Sequence, residues 1–384
     1  MAYVEKRRQE RKDGTLGPVE WRVRYRTPNG NLRTKTFPRK LDADRFVAAT
    51  TTDVARGEWL DPTLGKVTVA DFVNQGFRPT LVNLEPTTRS VNESHLRTHI
   101  LPAFGRMPLA AVDYTQCQSW VNELSTRRAA ATVVKSAQVM SKVMRTAVRS
   151  GRIKTNPMAE VSLPTIHESE DVYLTPAQVE GLATSMTTVD PWHRALVWVG
   201  CYAGPRIGEL AALRWTDLDP MRRTLTIERK VVELAGDGFV EGQTKTKAGR
   251  RTLTLPRRVI EEVEQHRDLV WERLGEQPLV FPGKQGGYLR PKNLRRRAWL
   301  QAVRAADLEG MTFHDMRHTA VSLWVAAGAT DMEVAKWAGH KNAGFTKSRY
   351  AHLFPEHGEA LADRLDAFIA SSTPTPAAGV RQLR

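Results

Sequence analysis

The chain has 384 residues, 41% of them hydrophobic, and carries 57 Lys and Arg against 42 Asp and Glu, a formal charge of +15. That cationic excess makes a polyanion the expected partner, nucleic acid before membrane, while the apolar content suffices for two or three packed domains and excludes a disordered basic tail. The longest apolar stretch, ALVWVGCYAG at 195–204, is half a membrane span, and the opening MAYVEKRRQERKDG has no apolar run behind it, so a cytoplasmic protein with no membrane partner is expected. Cys117 and Cys201 each lie in an apolar helical pattern and read as buried free thiols rather than a disulfide or metal ligands.

Residues 19–26, VEWRVRYR, alternate with period two, placing Trp21, Val23 and Tyr25 on one face and Arg22, Arg24 and Arg26 on the other. The turn Pro28-Asn29-Gly30 leads to a second strand, NLRTKTF, and then to the helical run LDADRFVAATTTDVARG, predicting a small sheet backed by one helix over residues 1–60. Three arginines on one strand face suit a sheet that reads a DNA groove, although the same pattern describes an ordinary solvated face. After the linker EWLDPTLGK, Thr68 opens an all-helical stretch, assigned to 67–155, with helices at DFVNQGFRP, Pro86 to His99, TQCQSWVNEL and AAATVVKSAQVMSKVMRTAVRSG. Its scattered basic residues can contact phosphates, and no acid/base constellation is visible there.

A second linker, TNPMAEVSLPTIHESEDV, precedes a segment over 172–358 that Thr175-Pro176-Ala177-Gln178 opens with an N-cap, Pro at N1 and a capping-box Gln. Within it, CYAGPRIGELAALRWTDLD reads as a buried helix broken at Gly204-Pro205 and restarting at Arg206, with Glu209 on the same face. Residues 223–256 read as a meander of short strands ending in TKTKAGRRTLTLP, where Lys245 and Lys247 flank a turn and Leu253 and Leu255 alternate with threonines. The stretch MTFHDMRHTA then places His314, Arg317 and His318 within about one turn, with Thr312 and Asp315 marking a helix N-terminus whose dipole favours an anion. His314 and His318 stand at i and i+4 as zinc ligands can, but the residue after the first is Asp rather than Glu and a guanidinium lies between them. Last come a helix closing at Gly339-His340, a loop, Tyr350, and an amphipathic stripe of Leu361, Leu365, Phe368 and Ile369 within 359–384 that either closes its own domain or docks on a neighbour.

Taken in order, GPRIGELAALRWTDLD, TKTKAGRRTLTLP, HDMRHTAVSLWVAAG, WAGH and SRYAHL resemble the tyrosine recombinase (phage integrase) family across the whole of 172–358. The helical segment with HILPAFGRMPLAAVD resembles that family's core-site DNA-binding domain, and residues 1–60 are similar to its arm-type DNA-binding domain, as in three-domain integrases of phages and integrative elements. Pro205 departs from the apolar residue found in many relatives. The resemblance implies an α+β multidomain fold: a small N-terminal β-sheet with one helix, an all-helical domain, and a mainly helical catalytic domain with a small antiparallel sheet.

It implies DNA strand exchange with no metal or other cofactor, through a 3′-phosphotyrosyl intermediate. Tyr350 would attack the scissile phosphate, Arg206 and Arg317 would hold its non-bridging oxygens, and His314 would bond the phosphate or help take the tyrosine proton. His340 would add a second hydrogen bond, Lys245 would protonate the departing 5′-oxygen, and Glu209 would orient the arginine and histidine. His318 has no role in this scheme and reads as packing; Lys247 is a second candidate for the acid. The implied partners are double-stranded DNA with core-type and arm-type attachment sites, three further protomers in a DNA-bound tetramer, an excision factor and a host DNA-bending protein, in the cytoplasm of a bacterial host. Two rivals share much of the pattern: a type IB topoisomerase relaxing DNA, and a non-catalytic DNA-binding regulator of the same fold.

Overall fold

The computed structural model describes residues 2–10, 16–27, 30–57, 59–61, 63–166, 172–234, 238–243, 249–339, 344 and 350. Two compact units form, Met1–Glu168 and Ser169–Arg384.

The first unit begins with a three-stranded antiparallel sheet, β1 (Tyr3–Glu10), β2 (Leu16–Arg26) and β3 (Leu32–Phe37), in the order β1-β2-β3. The strand β1 was not expected. It pairs Val4 with Val23 and Glu5 with Arg22, so a charged segment becomes a strand because β2 supplies the partner edge. Period two sets the faces: Val23 and Tyr25 pack with Val4, Trp21 and Phe37 under helix α1 (Lys40–Ala55), through Ala43, Phe46 and Val47. Arg22, Arg24 and Arg26 therefore lie on the opposite face, beside Glu5, Tyr3, Thr34 and Thr36.

The rest of this unit is helical. Thr68 caps α2 (Val69–Phe72), which runs on as a π-turn over Val73–Phe77. Pro86 sits at the first position of α3 (Pro86–His95), continued by Leu96–Ile100 and by α4 (Leu101–Phe104). Asp113 and Gln116 form a reciprocal capping box on α5 (Tyr114–Ser125). The long helix α6 (Ala130–Arg149) buries Val133, Ala137, Met140, Val143, Met144 and Ala147, a 3.6-residue stripe, against Phe72, Leu96, Ile100 and Trp120. Each of those larger side chains contributes about 1.5–3 kcal/mol by leaving water.

In the second unit Thr175 and Gln178 close the expected capping box on α7 (Pro176–Val189). Helix α8 (Arg194–Ala203) is buried along almost its whole length. It ends at Gly204, whose φ of 60° is the left-handed region that glycine enters without a Cβ clash. Arg206 then caps the single turn α9 (Ile207–Leu210). The strands are not a simple meander: β4 (Leu218–Asp219), β5 (Thr224–Ile227) and β8 (Arg251–Thr254) form one sheet. The strands β6 (Arg229–Leu234) and β7 (Gly238–Gln243) form a separate hairpin inserted between β5 and β8. The helices α10 (Arg257–Leu274), α11 (Pro291–Leu294), α12 (Leu300–Ala305), α13 (Phe313–Ala326) and α14 (Asp331–Ala338) complete the unit. A Cβ on Gly200 would lie 2.5 Å from the Met316 sulfur, so this glycine lets α8 and α13 pack closely enough to bring Gly204 and Arg317 together. No described helix is long and apolar enough to cross a membrane. Cys117 and Cys201 are buried and free, as expected.

Candidate active site

The site assembles where the ends of α8, α13 and α14 meet β8. Thr312 caps α13: its hydroxyl accepts from the His314 amide at 3.2 Å, and Asp315 accepts from the Thr312 amide at 2.6 Å. This box fixes the start of the helix and so the directions of His314, Arg317 and His318.

Glu209 is the one described carboxylate bonded to the arginines here. Its Oε1 accepts from Arg206 Nη1 at 3.1 Å, and its Oε2 accepts from the Arg206 backbone N–H and from Arg251 Nη2, both at 2.9 Å. Burial pushes the Glu209 carboxyl up, but the charges of Arg251 and Arg206 reverse this and hold it below its ordinary value. Arg206 keeps 48% of its side chain exposed, so its guanidinium is accessible to a ligand while its stem is fixed by Glu209.

Arg317 is buried and donates from Nη1 to the Gly204 carbonyl at 2.8 Å and from Nη2 to the Ala338 carbonyl. Both carbonyls belong to helix C-termini closed by left-handed glycines, Gly204 and Gly339. One guanidinium thus braces two helix ends whose dipoles favour a cation. Burial, then the charges of Arg206 and Arg251, push Arg317 down to about 9, with Glu209 and Tyr350 opposing, and it stays protonated at neutral pH. The result is three guanidiniums beside one carboxylate, a net positive pocket that suits an oxyanion.

His314 is exposed, and its imidazole sits below its ordinary value because of burial of part of the ring and the neighbouring His318, Arg317 and Arg206, against Asp315. It is neutral near pH 7, able to donate from one nitrogen and accept at the other. Its ring meets His318 edge to face at 4.7 Å between centroids. His318 Nδ1 lies 2.8 Å from the Tyr350 hydroxyl, with His318 only 4% and Tyr350 2% exposed.

The structure therefore brings together Arg206, Glu209, His314, Arg317 and Tyr350. Lys245, Lys247, His340 and the 359–384 stripe lie outside the described residues. Two functional candidates escaped sequence reasoning. Arg251 shares the inward parity of Leu253 in β8 and of Leu255 just after it, and that alternation was the signal that could have found it. His318, read as packing, is instead bonded to Tyr350; nothing local in the sequence announces a partner 32 residues away. Glu209 engages two arginines rather than an arginine and a histidine. In the first unit, Arg24 reaches the Tyr3 hydroxyl at 3.5 Å and Arg26 the Gly30 carbonyl at 3.3 Å.

A cationic cluster beside a tyrosine hydroxyl bonded to an imidazole, carried by a mainly helical unit with a small sheet, fits the class of enzymes that transfer phosphoryl groups through a tyrosine. Comparison with known proteins agrees. The phage integrase family model matches residues 172–357, and the phage integrase central domain model matches residues 66–163. The prophage phiRv2 integrase of Mycobacterium tuberculosis is 26% identical over 362 residues, covering 90% of this chain and 93% of that protein. A Tn1549 transposon integrase in complex with transposon right end DNA superposes with a TM-score of 0.64 at 19% identity, over 79% of this chain and all of that one. A lambda integrase tetramer bound to a Holliday junction gives 0.55 at 17% identity, over 88% and 93%. At such identities the structural likeness is one of fold. The chain belongs to the phage integrase family of tyrosine recombinases: it is a site-specific DNA recombinase, which breaks and rejoins DNA strands.

Proposed function

We propose that Tyr350 attacks the scissile phosphate and carries a 3′-phosphotyrosyl intermediate, with Arg206 and Arg317 on the non-bridging oxygens. The observation that carries this is the cluster of three guanidiniums around one carboxylate: Glu209 holds Arg206 and Arg251, and Arg317 lies within electrostatic reach of all three and of Tyr350. Such a pocket favours the extra negative charge of a pentacoordinate phosphorus over the charge of the ground-state diester. Arg206 contacts the phosphate directly. Arg317 gives up one backbone carbonyl to reach it or acts through its charge from where it stands. His314, neutral near pH 7, donates a hydrogen bond to a phosphate oxygen, His340 adds another, and Lys245 protonates the 5′-oxygen as it leaves.

Residues 172–358 act as the catalytic domain, 67–155 bind the core-type site, and 1–60 bind arm-type DNA through the Arg22, Arg24 and Arg26 face. Four protomers assemble on paired attachment sites, with 359–384 as a contact between them, to integrate phage or mobile-element DNA. An excision factor assists the reverse reaction, and a host DNA-bending protein is a further partner, in the bacterial cytoplasm. The lambda integrase assembly, a tetramer on a Holliday junction, supports the oligomeric reading by analogy of fold.

The test is Tyr350→Phe on a nicked suicide duplex carrying the core site. It should bind like the wild type and trap no covalent protein–DNA adduct. An adduct from this variant places the nucleophile on another residue.

A further inference from the structure

We propose that His318, rather than His314, is the proton acceptor for the Tyr350 hydroxyl in DNA cleavage and its proton donor in rejoining. This rests on the reading of Tyr350 as nucleophile and adds a catalytic residue to it. Geometry carries the assignment. The two side chains meet at 2.8 Å through Nδ1 and the phenolic oxygen, within the range of a direct O–H···N bond. In the tautomer that carries its hydrogen on Nε2, His318 accepts the phenolic hydrogen at Nδ1, and this is the tautomer the proposal assigns.

Both groups are almost wholly enclosed, which leaves the hydroxyl little bulk water to receive its proton and calls for a positioned acceptor. Among the described residues the hydrogen bond to the Tyr350 hydroxyl is made by His318 and not by His314, which is exposed and meets the His318 ring perpendicularly at 4.7 Å between centroids. Position on the helix explains the difference. His318 sits one turn deeper than His314 on α13, where Tyr173 flanks it at 6.5 Å between ring centroids and the Leu174 amide anchors the next residue, Thr319, at 3.2 Å. The ring is held by packing, as a catalytic base must be if its nitrogen is to stay on line with the nucleophile.

The step balances. The Tyr350 Oη–P bond forms as the P–O5′ bond breaks, the phenolic proton passes to His318 Nδ1, and the 5′-oxygen leaves with a proton from the acid proposed above, Lys245. Rejoining reverses each transfer, with His318 returning its proton to Oη.

Among the described residues, the titratable groups about His318 are His314 and Arg317 on the same helix, Tyr173 and Tyr350, with Arg206, Arg251 and Glu209 beyond Arg317. Of the helices packed on α13, α8 carries Arg194, Cys201 and Tyr202, and α14 carries Asp331, Glu333 and Lys336.

The experiment measures single-turnover adduct formation by the full chain on the nicked core-site duplex across the acid to neutral range, with DNA binding followed by gel shift. The wild-type rate should fall toward acid pH, because a protonated imidazole cannot accept. His318→Gln, which keeps the side-chain volume and a polar atom near Oη but titrates nowhere in this range, should bind DNA normally. It should cleave about 10²–10⁴-fold more slowly and lose the acid limb. His318→Ala should behave alike and regain rate with added imidazole. His314→Gln should be slower yet keep the acid limb, an arm that does not depend on a His318 variant folding. An undiminished rate in His318→Gln, a slowed rate with the acid limb intact, or loss of the limb in His314→Gln overturns the proposal. Tyr350→Phe is run beside them: an adduct there defeats the nucleophile assignment itself, whatever His318 does.

Discussion

Glu209→Gln should be the most destabilising single-atom exchange at the site. All three groups facing the carboxylate are donors: Arg206 Nη1 at 3.1 Å on Oε1, and the Arg206 amide and Arg251 Nη2 at 2.9 Å on Oε2. An amide must turn its NH2 toward one of them, so a hydrogen bond becomes a donor–donor clash. The negative charge that offsets three guanidiniums also disappears. The Arg206 contact, half exposed, is worth at most about 1 kcal/mol of this. Arg251 dominates, because it and Glu209 are 2% and 4% exposed and removing one member of such a buried pair costs about 3–5 kcal/mol. Against a domain stability of about 5–15 kcal/mol this is a large fraction. With a urea slope of about 1–3 kcal/mol per M, the midpoint of the catalytic unit should fall by roughly 1–5 M. Urea titration of the full chain, read by native-state amide exchange in α8, α9 and β8, isolates that unit from the first. The double variant Glu209→Gln/Arg251→Met removes the stranded cation with the carboxylate and should be no less stable than Glu209→Gln alone. A midpoint shift near zero, or two single-variant losses that simply add in the double, would refute the claim that the pair is coupled.

Two further outcomes are expected. Lys245→Ala should cleave normal DNA about 10²–10⁴-fold more slowly and recover on a substrate whose bridging 5′-oxygen is sulfur, since a thiolate leaves without an acid; Lys247→Ala should be equally slow or fast on both, and rescue of Lys247→Ala instead moves the acid two residues along. Deleting residues 1–62 should leave core-site cleavage measurable and abolish footprints at distal arm-type sites, whereas an unchanged footprint on full attachment DNA removes the DNA-binding role of the Arg22, Arg24 and Arg26 face.

Much of this protein was legible without coordinates because its signals are local. Capping boxes at Thr175 and Thr312 span four residues, and both helices start where those boxes say. Period-two and 3.6-residue patterns identified β2, β3, α1 and the long helix α6, and the order of the motifs identified the family, since hydrogen bonds and side-chain faces within a few residues depend on nearest neighbours alone. What tertiary structure alone decided are contacts between residues far apart in sequence, where packing chooses among many equally plausible pairs. The charged start of the chain became β1 only because β2 offered it an edge, and β8 reached β5 past an inserted hairpin. Arg251 became a partner of Glu209 across 42 residues, and Arg317 found the carbonyls of two helix ends, one of them 113 residues away. His318 changed from filler to the neighbour of Tyr350 for the same reason: the i+4 spacing puts it on the His314 face, but only the packing of α13 against the rest of its unit determines what that face meets.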